Sequence, residues 1–179
     1  MSRIHIFGAS GSGTSTFGRT LAARWECAHL DTDDYFWLPT DPRFREKREA
    51  GERLVMLMAD LQQPEWVLSG SLCGWGDSCI PLLDLAVFLW IPQDLRISRL
   101  ETREIERYGR DVARPSGVWS ESSRAFLEYA AQYESGGLEI RSRALHEAWM
   151  ADLPCPVIRL EGDLSVDEQV KRVVCTLGG

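Results

Sequence analysis

The chain has 179 residues, 44% of them hydrophobic and 26% charged, with a net charge of −7. At roughly 150 residues per domain this is one domain, large enough to hide about 70% of its unfolded surface, and the composition excludes a disordered chain, a coiled coil and a membrane protein. The acidic balance lacks the basic footprint of a nucleic-acid binder, so no nucleic-acid partner is expected.

Eighteen arginines stand against two lysines, Lys47 and Lys171, and there is no asparagine. Ammonium chemistry is therefore scarce. The longest apolar run, Leu85 to Ile91, is far short of the ~20 residues of a spanning helix. The first residues contain no apolar stretch of signal-peptide length, so a cytoplasmic protein is expected. Cysteines 27, 73, 79, 155 and 175 are odd in number and form no C-x-x-C pair. They read as reduced thiols, not as a disulfide frame or zinc site.

In chain order, Arg3 to Phe7 predicts a buried strand ending at a Gly-Ser cluster, and Thr14 to Trp25 a helix with Phe17, Leu21, Ala22 and Trp25 on one face. Ala28 to Asp34 predicts a second strand closing in carboxylates. Arg45 to Gln63 is helix-like and stops at Pro64. Glu65 to Ser69 and Leu85 to Ile91 are apolar strands, the second with the unbroken hydrophobicity of a strand covered on both faces. Gln93 to Tyr108 predicts a helix and Gly109 to Gly117 a loop. Two helices between Val118 and Leu153 break at Gly136-Gly137. Val157 to Leu160 is the fifth strand, and Ser165-Val-Asp-Glu168 is a capping box opening the last helix. Strands alternating with helices predict a parallel α/β sheet with right-handed crossovers.

After the first strand comes Gly8-Ala9-Ser10-Gly11-Ser12-Gly13-Thr14-Ser15-Thr16. It fits the phosphate-loop pattern G-x-x-x-x-G-K-[ST] except at the lysine, where Thr14 stands. Glycines let backbone N–H groups curl round a phosphate, and the following helix points its positive end at it. Ser15 stands where a hydroxyl would ligate Mg²⁺. The plain alternative is a turn that merely joins strand to helix. The second strand runs into Asp31-Thr32-Asp33-Asp34. In a parallel sheet its carboxyl end opens beside the phosphate loop. One carboxylate there suits Mg²⁺ and a neighbour two residues on suits a substrate hydroxyl or its proton; a solvated acidic turn is the alternative.

Arginines 96, 99, 103 and 107 lie within roughly 80° of one another on a helix, with Arg110 and Arg114 following. Arginine forks suit phosphate oxygens, but Glu101, Glu104 and Glu106 are close enough for ordinary surface pairing. The three histidines, 5, 29 and 146, read as packing or surface. Trp25, Trp66, Trp90 and Trp149 fit core positions, whereas Trp37 and Trp75, after strands two and three, are either pocket wall or local packing.

The phosphate loop, the D-T-D after the second strand and the Pro92…Arg99…Arg103 spacing resemble the small P-loop kinases. These include nucleoside monophosphate, shikimate and gluconate kinases and adenylate-kinase-like proteins, some described as DNA-topology-modulation proteins. The resemblance implies a P-loop NTPase fold: a five-stranded parallel sheet of order 2-3-1-4-5, a substrate-binding insertion near residues 35–64 and a short lid near 107–118. It implies ATP and Mg²⁺ as cofactors, with Gly8 to Thr16, Arg99, Gly162 and Asp163 around the nucleotide and Ser15 and Asp31 on the metal. Asp31, Asp33, Arg103, Arg141 and Arg143 are the implied catalytic residues. Asp33, Trp37, Arg48, Ser71 and Trp75 are the expected acceptor contacts.

The sequence departs from the family at Thr14, in the short lid without metal-binding cysteines, and at Ser69-Gly-Ser71-Leu-Cys-Gly-Trp75-Gly, where adenylate kinases carry D-G-[FY]-P. The last departure argues against AMP as acceptor. The reading is a phosphotransferase moving the γ-phosphoryl of ATP to a small acceptor, as monomer or homodimer and without membrane contact. A nucleotide-binding regulatory protein with weak or lost turnover is the alternative. A GTPase is disfavoured, because an asparagine-free chain cannot carry the Asn-Lys-x-Asp guanine motif.

Overall fold

The computed structural model of the chain describes residues 2–41, 43–109 and 120–177. Five parallel strands, β1 (Arg3–Gly8), β2 (Ala28–Asp31), β3 (Trp66–Ser69), β4 (Leu85–Trp90) and β5 (Val157–Glu161), form one sheet of order β2-β3-β1-β4-β5. The helices are α1 (Thr14–Trp25), α2 (Thr32–Phe36), α3 (Ala50–Asp60), α4 (Gln93–Tyr108), α5 (Glu121–Ala131), α6 (Arg143–Ala151) and α7 (Val166–Leu177). The expected sheet order is the observed one.

The central strands read as unbroken apolar runs because helices cover both faces. Along β1, Ile4 and Ile6 join Phe17 and Leu21 of α1 and Val170 and Val173 of α7 in one core. His5 and Phe7 face the other way, against Trp149 of α6 at ring separations of 5.5 and 5.1 Å. Parallel order puts the carboxyl ends of β1, β2 and β3 side by side, so the loops after them share one crevice. Among the described residues no helix is long and apolar enough to cross a membrane.

Two predicted elements are shorter than expected. The second strand stops at Asp31, not Asp34, because the Asp31 carboxylate accepts a hydrogen bond from the Asp33 N–H at 3.0 Å and so caps α2. The helix expected over 45–63 covers only Ala50–Asp60. Glu49 caps its start by accepting from the N–H groups of Gly51 and Glu52. Residues 46–48 turn back on 36–38 instead, through Leu38 N–H to Glu46 O and Arg48 N–H to Phe36 O, both 2.9 Å. A short 3₁₀ segment over Asp77–Leu82 has no counterpart among the predicted elements. The expected capping box forms: Glu168 accepts from the Ser165 N–H at 2.9 Å while its own N–H reaches the Ser165 hydroxyl at 3.3 Å. All five cysteines are free thiols. Most of the expected lid, including Arg110 and Arg114, lies outside the described residues.

Candidate functional site

The loop from Gly8 to Gly13 is shaped by close backbone contacts. A Cβ on Gly8 would stand 2.3 Å from the Leu89 carbonyl, and one on Gly11, itself at φ +85°, would stand 2.7 Å from the Arg96 carbonyl. Strand β4 and helix α4 therefore press the loop from behind, and only glycine fits those two positions. Helix α1 then opens at Thr14 with no side-chain cap. The first N–H with a carbonyl partner is that of Phe17, on Gly13 O at 3.0 Å. The preceding N–H groups are the ones a helix end leaves over, and they make a positive end suited to an anion.

This end opens into a cavity of about 620 Å³ bordered by the whole of Gly8–Thr16, by Asp31 and Asp33 after β2, and by Gly70 and Ser71 after β3. Arg99 and Arg103 of α4, Arg141 before α6, and Asp163 after β5 complete the wall. A second cavity of about 400 Å³ adjoins it, sharing Ser10, Asp33, Arg103 and Arg141. Its other walls are aromatic and basic apart from Glu104 and Ser122. Phe36, Trp37 and Phe44 come from the segment after β2, Tyr108 from the end of α4, Phe126 and Tyr129 from α5, with Arg45, Lys47 and Arg107 among them.

The charges at the shared wall are unevenly matched. Arg103 is half-buried, its Nε has no hydrogen-bond partner, and burial with the neighbouring Arg107 lowers its pKa. Arg103 and Arg141 make no ion pair within 4.0 Å among the described residues, unlike Arg99, which holds Asp163 at 2.7 Å. Asp33 is exposed to the two cavities it borders, with the protein packed close around it. That desolvation, then the charge of Asp31, raises its carboxyl above the usual range, against the pull of Arg141, Arg103 and Arg107. Cations without carboxylate partners in a concave wall favour an anionic ligand.

The sequence-predicted residues divide. Gly8 to Thr16, Asp31, Asp33, Ser71, Arg99, Arg103, Arg141 and Asp163 border the larger cavity, and Trp37 the smaller one. Arg48, Trp75, Arg143 and Gly162 border neither. Arg48 donates to the Tyr35 carbonyl at 3.0 Å and pairs with Glu52. Trp75 donates to the Ser71 carbonyl at 2.9 Å and packs on the core. Arg143 lies over the Trp90 ring beside Glu134 and Glu147. The arginine stripe also splits: Arg96 is fully buried under the loop, where it lies over Tyr133, while Arg107 covers Phe44. Sequence reading did not single out Phe44, Tyr108, Phe126 or Tyr129. For Phe44 the available signal was the basic-aromatic-basic run Arg43-Phe44-Arg45, following the aromatic run Tyr35-Phe36-Trp37.

A divalent ion and a nucleotide fit these residues. Asp31 keeps acceptor capacity after receiving the Asp33 N–H and, at 3.2 Å, the Ser69 hydroxyl. Among the described residues no three His, Cys, Asp or Glu side chains cluster to hold a metal. Hard-oxygen ligation by Ser15, Asp31 and ligand phosphates matches the way Mg²⁺ is commonly held.

No protein-family model matches the chain. Its fold resembles a shikimate kinase from Acinetobacter baumannii in complex with shikimate, with TM-score 0.59 and 16% identity over 99% of this chain and 92% of that one. A shikimate kinase from Bacteroides thetaiotaomicron gives TM-score 0.58 and 18% identity, covering 99% of each chain. A gluconokinase from Sinorhizobium meliloti 1021 gives 0.51 and 15%, covering 99% and 91%. At such identities the likeness is one of fold, the P-loop kinase fold. At the level of sequence the chain is 54% identical over 172 residues, 96% of its length, to a protein of Bacillus subtilis (strain 168) that it covers to 94%, "Uncharacterized protein YqaC". The chain belongs to the family of that Bacillus subtilis protein.

Proposed function

We propose that the protein is an ATP-dependent phosphotransferase acting on a small acceptor that joins a planar aromatic ring to an anionic group. The observation that carries this reading is the meeting of two unlike cavities at Ser10, Asp33, Arg103 and Arg141. One side offers a phosphate loop, the other aromatic rings and cations.

Bound ATP with Mg²⁺ supplies the phosphoryl group and neutralises part of its charge. The backbone of Gly8 to Thr16 holds the nucleotide phosphates, and Ser15 and Asp31 hold the metal. Arg99 and Asp163, paired across the rim with Gly162 beside them, flank the base. Arg103 and Arg141 provide the positive field at the transfer point, the work usually shared with the lysine that Thr14 replaces. Asp33 receives the proton of an acceptor hydroxyl; its raised pKa makes it a better base than an ordinary carboxylate. Trp37 and Tyr129 line the space for the acceptor's ring, and Arg45 and Arg107 supply positive charge on the same wall. Residues 35–64 act as the acceptor-binding insertion and 107–118 as the lid.

The test is to incubate the protein with ATP, Mg²⁺ and a panel of hydroxyl or phosphate acceptors, aromatic acids and nucleotides beside sugar acids and alicyclic acids, and read ADP release. Turnover confined to ring-bearing anions is expected. Turnover of sugar acids alone would reject the acceptor class. A melting temperature unmoved by millimolar ATP or ADP with Mg²⁺ would reject nucleotide binding altogether.

A further inference from the structure

Two buried histidines, His5 and His146, which the sequence reads as packing or surface, converge on adjacent residues of the cavity wall. His5 Nε2 lies 2.7 Å from the Gly70 carbonyl. A carbonyl only accepts, so this nitrogen carries the proton. Gly70 is at φ +98°, and a Cβ on it would stand 1.8 Å from the Thr32 hydroxyl oxygen, so no other residue fits. Next along the chain, the Ser71 hydroxyl lies 3.1 Å from His146 Nε2, and His146 Nδ1 lies 2.9 Å from the Tyr133 hydroxyl. Ser71, His146 and Tyr133 are all buried.

The direction of this chain follows from counting donors and acceptors. The Tyr133 hydroxyl has one hydrogen-bond partner among the described residues, His146 Nδ1. If Nδ1 held the proton, the buried phenol hydrogen would have no acceptor, a larger loss than one net hydrogen bond is worth. Tyr133 therefore donates to Nδ1, Nε2 carries the ring proton, and Nε2–H donates to Ser71 Oγ. The Cys73 N–H also donates to Ser71 Oγ, at 3.4 Å. With both lone pairs engaged, the Ser71 proton is free to be given away, and Ser71 borders the larger cavity together with Arg141. Burial, Arg141 and His5 hold His146 at a pKa of about 3, so the ring stays neutral and the order persists through ordinary pH.

We propose that Tyr133 and His146 are positioning residues that set Ser71 as a hydrogen-bond donor to an oxygen of the terminal phosphoryl group in the larger cavity. This rests on the reading of that cavity as the nucleotide site. Arg141 borders both cavities and its charge is felt at Asp33, Cys73 and His146. Ser71 and Arg141 both line the larger cavity, and the proposal puts the terminal phosphoryl group between them.

Nitrogen-15 NMR of the whole protein reads the His146 tautomer directly, with Tyr133→Phe as comparison; wild type should show protonated Nε2, and Tyr133→Phe should lose that preference. Calorimetry with Mg²⁺ then compares a non-hydrolysable ATP analogue with ADP. Ser71→Ala should weaken the analogue about tenfold, the scale of a hydrogen bond to a charged group, and leave ADP within about twofold. Tyr133→Phe should shift the analogue in the same direction by less, and Ser71→Thr should restore it. Thermal unfolding of each variant checks that it is folded. Protonated Nδ1 in wild type, or equal losses for both nucleotides, would overturn the proposal. A wild type that binds neither nucleotide would remove the nucleotide site itself, and this proposal with it.

Discussion

The guanidinium of Arg96, wholly buried, donates to the carbonyl of Ser10 at 3.3 Å from behind the phosphate loop. It also reaches the Ala130 carbonyl at 3.4 Å and lies over the Tyr133 ring at 5.0 Å, so α4, α5 and the loop are joined through one side chain. Its Nε and Nη2 have no hydrogen-bond partner among the described residues, and Glu134 is 3.9 Å away. Removing it relieves the desolvation of a buried cation but strips two carbonyls of a donor. Arg96→Met should on balance lose about 2 kcal/mol, or roughly 4–8 °C of melting temperature at this chain length. It should also weaken nucleotide binding by loosening the loop. Calorimetric unfolding checks the first effect; an unchanged melting temperature would reduce Arg96 to a space-filler.

Asp33 and Asp31 should respond differently to loss of charge. Because the Asp33 carboxyl is raised, the folded protein binds its proton more tightly than the unfolded chain does. Stability therefore falls as pH rises between the ordinary carboxyl pKa and the raised one. Asp33→Asn should raise the melting temperature at pH 7, a gain that fades below the ordinary carboxyl range, while lowering turnover by about 10²–10⁴-fold if Asp33 is the base. Asp31→Asn should lose turnover with nucleotide affinity nearly intact. Melting curves against pH and ADP-release rates for both variants decide this; a destabilised Asp33→Asn at pH 7 would contradict it.

Thr14 separates a working kinase from a binding protein of the same fold. Four arginines could stand in for the lysine: Arg143 is engaged with Glu134 and Glu147, Arg110 lies outside the described residues, and Arg103 and Arg141 border both cavities. In a working enzyme Arg103→Ala or Arg141→Ala should cost about 10³-fold or more in rate, and Thr14→Lys should add little. In a silent protein Thr14→Lys should tighten ATP and neither arginine should matter. ATP affinity and ADP release for the three variants tell these apart.

The buried histidines also predict acid sensitivity. Burial holds His5 at about 4 and His146 at about 3, well below the free imidazole. The unfolded chain takes up protons below about pH 6.5 while the folded protein refuses them, so stability should drop from pH 6.5 downward, on the order of 1 kcal/mol per pH unit for each histidine. Urea midpoints between pH 7 and 4 measure this, and His146→Gln should flatten the slope by about half.

The five strands, the phosphate loop and α1 and α4 were legible in the chain because each is set by local pattern: unbroken apolar runs for covered strands, 3.6-residue spacing for helices, and glycines where backbone must approach backbone. The sheet order came only from the resemblance to the small P-loop kinases. The start of α2 was misread as strand because a side chain, Asp31, decides where β2 ends by capping that helix. Residues 45–49 carry helical spacing, but pairing with 36–38 overrides it. Which arginines face a ligand was not legible at all. Arg96, Arg99, Arg103 and Arg107 share one face of α4, yet one is sealed under the loop, one is paired, one has no ion pair among the described residues and one covers a ring, because that depends on what lies opposite each of them. The Tyr133–His146–Ser71 chain depends in the same way on residues far apart in sequence. Local periodicity determines the elements; only tertiary contact decides which polar atoms are spent within the protein and which remain to meet a ligand.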